Sequence, residues 1–586
     1  MCQTRRANHE VPVDALRCER AEWTSKNWLA MLMTKLLSLL VCAIAAAGCG
    51  SASSSAGGRG GSGAPAEGGS ASSSGGTSSG GAAGSGGVAR SGAASILAGA
   101  GGIAGAGFAG SSGSGGVTAA PGTTAGSGGS AGSSGAGGAG GRAAVALEDL
   151  QRAYVDLRFG MFIHFGILTY TGSWAQGNLP IDLFDPTKLD PAQWADAAIA
   201  AKMRFGILTA KHHDGFALWP SGVGNFSVKN LSWKGGQGDV VRAYVDAFRA
   251  KGLQPGLYFS LFDATQGIEG AETITRAKID LVKTQLRELL TNYGEIPILF
   301  IDGWSWKMGH LAVPYEEIHA LVKSLQPNCL VADNTHLASP WDVDIVHFEE
   351  PQGVFAPPGN TYAAHQGQKI NNSGGNDWFW APSIGNLMSV SSIVDDHLKK
   401  LEPLWTNFVL NCPPNRDGLM DAAIVSRLAE VGAAWTPNAA RAPLPSQGPQ
   451  IERPYTPVSA SASSGTAKNA IDGVNDNQLN TMWQASGALP QSITLDLGRS
   501  RPDVGIVSVT PRYANNRGVT DGNITSYRIL AGTEESTLTE VAAGTWPADG
   551  KLKVVTFPPT AARYVRVEVR AANGMAAATE ISVGGR

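Results

Sequence analysis

The sequence predicts a (β/α)8-type barrel followed by an all-β sandwich, an α/β architecture preceded by a long Gly/Ala/Ser tether. Three observations lead there. Residues 50–142 are almost wholly Gly, Ala and Ser, and a globular composition begins at Ala144. From there to Thr436, short β-rich runs alternate with amphipathic stretches, a length that fits a barrel of about 250 residues. Residues 455–586 then alternate apolar and polar side chains with few helical patterns.

A chain of 586 residues exceeds one ordinary hydrophobic core, so more than one domain is expected. Its 45 basic and 48 acidic residues leave a net charge of −3, which gives no reason to expect a nucleic-acid partner. Six cysteines, at 2, 18, 42, 49, 329 and 412, fit neither a zinc ribbon nor a dense disulfide framework.

Residues 1–32 are charged and lack a long apolar run, and read as an upstream extension. At Met33 the pattern becomes that of a leader: Lys35, the apolar stretch Leu36–Ala47, then Ala46-Ala47-Gly48-Cys49. Small residues directly before a cysteine match a lipoprotein-type signal peptide over 33–49, too short for a comfortable membrane span. Export, with a lipid on Cys49 as the sole membrane attachment, is the expectation, at the cell envelope or outside the cell. The 50–142 segment has too little apolar surface to offset chain entropy and reads as a flexible tether. A Pro-rich connector spans 437–454.

Within the barrel segment seven strands are legible: 160–165, 205–210, 256–260, 296–301, 330–332, 344–348 and 407–410. Asp239 caps a helix whose Val240, Val241, Tyr244, Val245 and Phe248 share one face. Ile318, Leu321, Val322 and Leu325 line another that Pro327 ends. His164, His212-His213-Asp214, Asp263, Asp302 and Glu349-Glu350 then fall at or just past strand C-termini, the face on which barrel sites are built. One such residue is commonly structural; five strands sharing the trait point to a site.

No P-loop, dinucleotide fingerprint or helical His pair accompanies these groups. On an extended strand His212 and His213 would point to opposite sides. Paired carboxylates suffice for a cofactor-free glycosidase, one acting as nucleophile and one as acid. Asp302, after the apolar run Ile298–Ile301 and before Gly303, is the candidate nucleophile. Glu349 or Glu350 is the candidate acid/base, and strand alternation admits only one of them to the site. Asp263 reads equally as a structural partner of Lys211. Trp378-Phe379-Trp380 supplies an apolar wall or ordinary packing.

The runs Arg158-Phe159-Gly160-Met161-Phe162-Ile163-His164-Phe165-Gly166, Ala210-Lys211-His212-His213-Asp214-Gly215-Phe216, Gly256-Leu257-Tyr258-Phe259-Ser260, Ile301-Asp302-Gly303 and Asn407-Phe408-Val409-Leu410-Asn411 resemble the α-L-fucosidases of glycoside hydrolase family 29. The resemblance covers most of 150–415. It implies a retaining exo-α-L-fucosidase with Asp302 as nucleophile, His164, His212 and His213 contacting sugar hydroxyls, and Trp174 lining the pocket. Trp378 is the matching candidate for the sugar's methyl group, and fucosylated glycans are the implied partners. Glu349 fits the family's Glu-x-Pro arrangement best, through Glu349-Glu350-Pro351. Two departures stand out: Ser173 where relatives often carry an acid before the tryptophan, and Ile301 before Asp-Gly. A retaining enzyme for another sugar such as an α-L-galactoside, or a catalytically weak glycan-binding lipoprotein, are the alternatives.

Asn469-Ala470-Ile471-Asp472-Gly473, Trp483, Leu495-Asp496-Leu497-Gly498 and Tyr564-Val565-Arg566-Val567 resemble a discoidin-like module of the carbohydrate-binding family 32 type. That resemblance implies a structural Ca²⁺ near Asp472 and Glu580. Arg512, Tyr513, Asn515 and Arg517 form either a glycan-binding loop or a plain exposed one.

Overall fold

The computed structural model describes residues 144–171, 176–337, 340–371, 378–382, 386–474, 481–512 and 520–586, all within the unit Ser130–Arg586. The leader, Cys49 and the tether lie outside the described residues, as do Ser173, Trp174, Tyr513, Asn515 and Arg517.

Eight strands form a closed parallel barrel in sequence order. They are β1 (Phe159–Ile163), β2 (Phe205–Lys211), β3 (Gln254–Ser260), β4 (Ile298–Asp302), β5 (Leu330–Asp333), β6 (Ile345–Glu349), β7 (Ala364–Lys369) and β8 (Thr406–Asn411). β8 closes on β1, with Phe408 opposite Phe159. One more strand is present than the sequence reading gave. β7 reads Ala-His-Gln-Gly-Gln-Lys, and its polar side chains conceal a strand that is buried almost throughout.

The helix Val240–Ala250 begins where expected, with the Arg242 amide donating to Asp239 Oδ1 at 2.8 Å. Its five predicted apolar residues are all buried. The helix Tyr315–Leu325 stops two residues before Pro327, whose missing N–H and restricted predecessor oppose a further turn.

The barrel's interior is filled by Phe162, Phe205, Ile207, Ile298, Phe300, Ile345 and Val409. Its floor, at the N-terminal ends of the strands, is closed by the helix Leu147–Val155. There the Tyr154 hydroxyl meets His365 Nδ1 at 2.7 Å and its carbonyl accepts from Asn407. The connector lies along the same floor. Leu444 joins the interior cluster, Trp405 Nε1 donates to the Ala442 carbonyl, and Gln447 bonds Thr361 and Ala363.

The C-terminal module holds a seven-stranded antiparallel sheet and a two-stranded one. Its longest strands, Gln491–Thr510 and Lys553–Ala572, pair along their length with register shifts between Asp496 and Ile506. Bulges of this kind bend a strand and let it serve two layers of a sandwich. The inward residues, among them Trp483, Ile493, Leu495, Val507, Val565 and Val567, form a core of their own.

Candidate active site

The C-terminal ends of the barrel strands open into a cavity of about 250 Å³. His164, His212, His213, Asp302, Glu349 and Trp378 all line it, so six of the seven candidates for catalysis and sugar contact meet at one place. The seventh, Trp174, lies outside the described residues.

Asp302 ends β4 and is buried, with 7% of its surface exposed. Oδ1 accepts from the Gly303 amide and the Trp306 indole, and Oδ2 accepts from the Tyr258 hydroxyl at 2.7 Å. Gly303 turns the chain at φ 72°, and a side chain there would strike Phe262. Burial alone would raise the carboxyl's pKa. His213, with Nε2 3.8 Å from Oδ2, and the donors from Trp306, Tyr258 and Gly303 outweigh it and hold the group below its ordinary range. Asp302 is therefore ionised while surrounded by protein.

Glu349 ends β6 with 7% exposed. Its Oε2 takes two bonds, from Asn334 Nδ2 at 2.8 Å and from His336 Nε2 at 3.1 Å. Glu350 begins a 3-10 turn and faces elsewhere: it binds His397 at 2.9 Å and accepts from Gln366 at 2.7 Å, and it does not line the cavity. The choice follows from parity. Ile345, His347 and Glu349 share the inward face of β6, and the intervening residues do not.

The histidine pair corrects the expectation that His212 and His213 diverge. Both line the cavity, with ring centroids 4.1 Å apart. The pairing of β2 with β3 slips between Thr209 and Lys211, so Lys211 turns outward to Asp263 and Gln285, at 3.0 Å each. β2 ends there, and the next two residues turn into the barrel mouth free of strand alternation. Asp263 is thus the buried partner of Lys211, one of the two roles its position allowed.

Burial drives His164 down to about 3 and His212 well below the usual histidine range, so these two rings are neutral near pH 7, while at His213 burial works against the pull of Asp302 and Glu349. Their tautomers follow from their partners. Asn411 gives its amide hydrogens to the Trp378 carbonyl, so its Oδ1 accepts from His164 Nδ1–H at 2.9 Å. Ser260 donates to the Phe262 carbonyl, so it accepts from His213 Nδ1–H at 2.7 Å. In the neutral His164 ring Nε2 is then the acceptor nitrogen. The Trp378 ring stacks on His164 at 5.0 Å and completes an apolar wall with Phe162 and Phe300.

Tyr258, Trp306, Asn334, His336, His347 and Gln352 also line the cavity and were not singled out by the sequence reading. Asn334 and His336 follow β5, where the strand-end rule could have found them. Trp306 belongs to a short π-helical turn, Trp304–Met308, that no periodicity announces.

A parallel eight-stranded barrel whose mouth gathers an ionised buried aspartate, a second carboxylate and hydrogen-bonding rings has the groups that barrel glycoside hydrolases use. Comparison with known proteins narrows it. Residues 178–439 match the family model described as alpha-L-fucosidase, and residues 455–581 match that of the F5/8 type C domain. The chain is thus similar to an alpha-L-fucosidase domain over the first stretch and to an F5/8 type C domain over the second. Alpha-L-fucosidase 1 of Arabidopsis thaliana is 31% identical over 290 residues, which cover 46% of this chain and 56% of that protein. The tissue alpha-L-fucosidase of Rattus norvegicus is 25% identical over 332 residues, covering 48% of this chain and 67% of that protein. The chain spans about half the length of the plant relatives it matches. Among solved structures, alpha-L-fucosidase isoenzyme 1 from Paenibacillus thiaminolyticus aligns at a TM-score of 0.43 and 20% identity, over 73% of this chain and 100% of that one.

Among the described residues no group of three or more His, Cys, Asp and Glu gathers into a metal-binding cluster. In the sandwich, Asp472 and Glu580 are hydrogen-bonded to each other, and burial raises the pKa of both. Glu580 Oε1 is buried with no hydrogen-bond partner.

Proposed function

We propose that the chain is a retaining exo-α-L-fucosidase acting on terminal fucosyl groups of glycans. The observation that carries the reading is Asp302: a buried carboxylate kept ionised by three donors, in one small cavity with Glu349. In this reading Oδ2, which accepts a single hydrogen bond, attacks the anomeric carbon. The glycosidic oxygen leaves with the proton of Glu349. Water then attacks the fucosyl ester, Glu349 takes back a proton, and fucose is released with its configuration retained. The acceptor nitrogen of His164 suits a sugar hydroxyl, and His212 and His213 face the same cavity. The Trp378, Phe162 and Phe300 surface suits a methyl group, whose burial is worth on the order of 1 kcal/mol. Fucose offers both.

The leader pattern ending at Cys49 supports an enzyme held at the outside of the cell envelope. One experiment addresses activity and location together. The activity that releases fucose from an aryl α-L-fucoside should sediment with the envelope, and Cys49→Ser should move that activity to the medium. No release from the fucoside, with release from the matching α-L-galactoside, would overturn the sugar assignment.

The residues Asp472 and Glu580 also support Ca²⁺ in the sandwich. Two neighbouring carboxyl groups with raised pKa values, one with a buried oxygen lacking a partner among the described residues, share a proton that a cation could replace. Calcium takes six or more oxygens, so main-chain carbonyls would complete the set. Millimolar Ca²⁺ should raise the melting temperature of the whole chain and a chelator should reverse this. Glu580→Gln should remove the response, and an equal response in that variant would rule the site out.

A further inference from the structure

The C-terminal module is pressed against the segment that follows the Asp302 strand. Gly309, at φ 81°, leaves no room for a side chain: a Cβ there would lie 2.6 Å from both the Asp472 carbonyl oxygen and Val474 Cγ2. Gly473, at φ 66°, answers from the other side, where a Cβ would lie 2.4 Å from the His310 backbone nitrogen. The Leu311 amide faces the Asp472 carbonyl at 3.4 Å, and its side chain packs against the sandwich core. The two backbones therefore interlock, each glycine admitting the other chain.

A ladder of stacked rings continues inward from this seat. Trp341 donates to Ser582 Oγ on the last strand at 3.1 Å and stacks on His310 at 4.5 Å. His310 stacks on Tyr315 at 5.0 Å, and Tyr315 on Trp304 at 5.1 Å. Trp304 opens the turn Trp304–Met308 that carries Trp306 onto Asp302. Arg501 grips Glu316 with two bonds of 2.7 Å beside it.

We propose that the sandwich is a structural part of the active site: its Asp472–Val474 turn seats the Gly309–Leu311 bend and thereby holds the Trp306 indole N–H on Asp302. Trp306 is then a positioning residue for the nucleophile, and Gly473 acts on it from the other domain. The inference rests on Asp302 being the nucleophile. The same turn carries Ser305, which donates to Asp333. Asp302 is otherwise faced by His213 and Tyr258, with His164, His336 and Asp333 farther off and Glu349 also lining the cavity. The turn also carries Lys307, whose ammonium lies over the Trp306 ring and whose charge reaches His213, the His213 ring meets Trp306 at 5.6 Å, and Gly303 at its start donates to the same Oδ1, so loosening the turn acts on Asp302 through Trp306 and these neighbours.

The indole N–H stabilises the ionised carboxylate, so its withdrawal raises the pKa of Asp302. In the full chain, Gly473→Ala should move the acid limb of the kcat/KM profile upward by roughly half a pH unit or more. Trp306→Phe should move it the same way. The double variant should move it no further than Trp306→Phe alone, since the two changes remove one interaction. Ser582→Ala, which takes only a hydroxyl from the last strand, should give a smaller shift in the same direction and covers the case in which Gly473→Ala does not fold. An unmoved limb in both interface variants, or a double variant whose shift is the sum of the singles, overturns the proposal. A readout without turnover separates this from the fucosidase reading. In protein labelled with 5-fluorotryptophan, the ¹⁹F line missing from Trp306→Phe should be displaced in Gly473→Ala and Ser582→Ala. If that line stays put in both, the proposal fails even where fucose is released; if it moves while no fucoside is cleaved, the coupling stands and the activity does not.

Discussion

Asp302→Asn should lower kcat/KM on an aryl α-L-fucoside by roughly 10³-fold or more, about 4 kcal/mol of transition-state stabilisation, with little change in thermal stability. An amide cannot form the fucosyl ester that the first displacement requires. It can still occupy the site, because its oxygen accepts from Gly303 and Trp306 while its NH₂ donates to the Tyr258 hydroxyl. The pH profile of the unaltered enzyme follows from the same contacts. The active form is the ionised carboxylate, and its pKa is held below the ordinary range. Activity should therefore persist as pH falls, with the acid limb lying below the ordinary carboxylate range. Fucoside turnover by Asp302→Asn at the unaltered rate would remove Asp302 from its role.

Glu349 and Glu350 give the second large effect, and it separates two neighbouring residues. Glu349→Gln should cost roughly 10²-fold or more on a fucoside whose leaving group is a sugar, since that oxygen needs a proton to depart. With an activated aryl leaving group the first step needs less help, so the loss should be smaller. Glu349→Ala with azide should recover turnover and yield a fucosyl azide of retained configuration, because azide meets the covalent intermediate without a base. Glu350→Gln leaves the cavity wall untouched, and activity should stay within a few-fold. Its effect belongs to stability, through the lost charge beside His397. A collapse of activity in Glu350→Gln with Glu349→Gln intact would reverse the assignment.

Much of this site could be read in the sequence because strand ends in a barrel converge. Asp302, Glu349 and His164 each terminate or follow a buried apolar strand, and that placement alone brings them together. The reading failed where local pattern and tertiary burial part company. β7 carries His365, Gln366, Gln368 and Lys369, and their polarity hides a strand that is nonetheless interior, with His365 bonded to Tyr154 and Gln366 to Glu350. The slip between Thr209 and Lys211 cannot be seen in a chain of letters, yet it decides that Lys211 leaves the barrel and His212 faces its mouth. The Glu349 and Glu350 ambiguity, by contrast, was soluble: His347 and Glu349 share a face, and counting back by two to Ile345 would have settled it. Trp306 and the Gly309 bend depend on a domain that begins more than a hundred residues later, so no local pattern could announce them.

The closure of β1 onto β8 constrains when this protein can fold. One edge of β1 has no partner until β8 has been synthesised, and the floor contacts of Tyr154 need Asn407 and His365 as well. A sheet with a waiting edge and an uncovered apolar interior is prone to pair with the wrong chain, and contacts so distant in sequence form slowly. The barrel must therefore stay open until 411 of the 586 residues have been made. In the exported enzyme proposed above, this would leave nothing in the barrel to lock before the last strand is through.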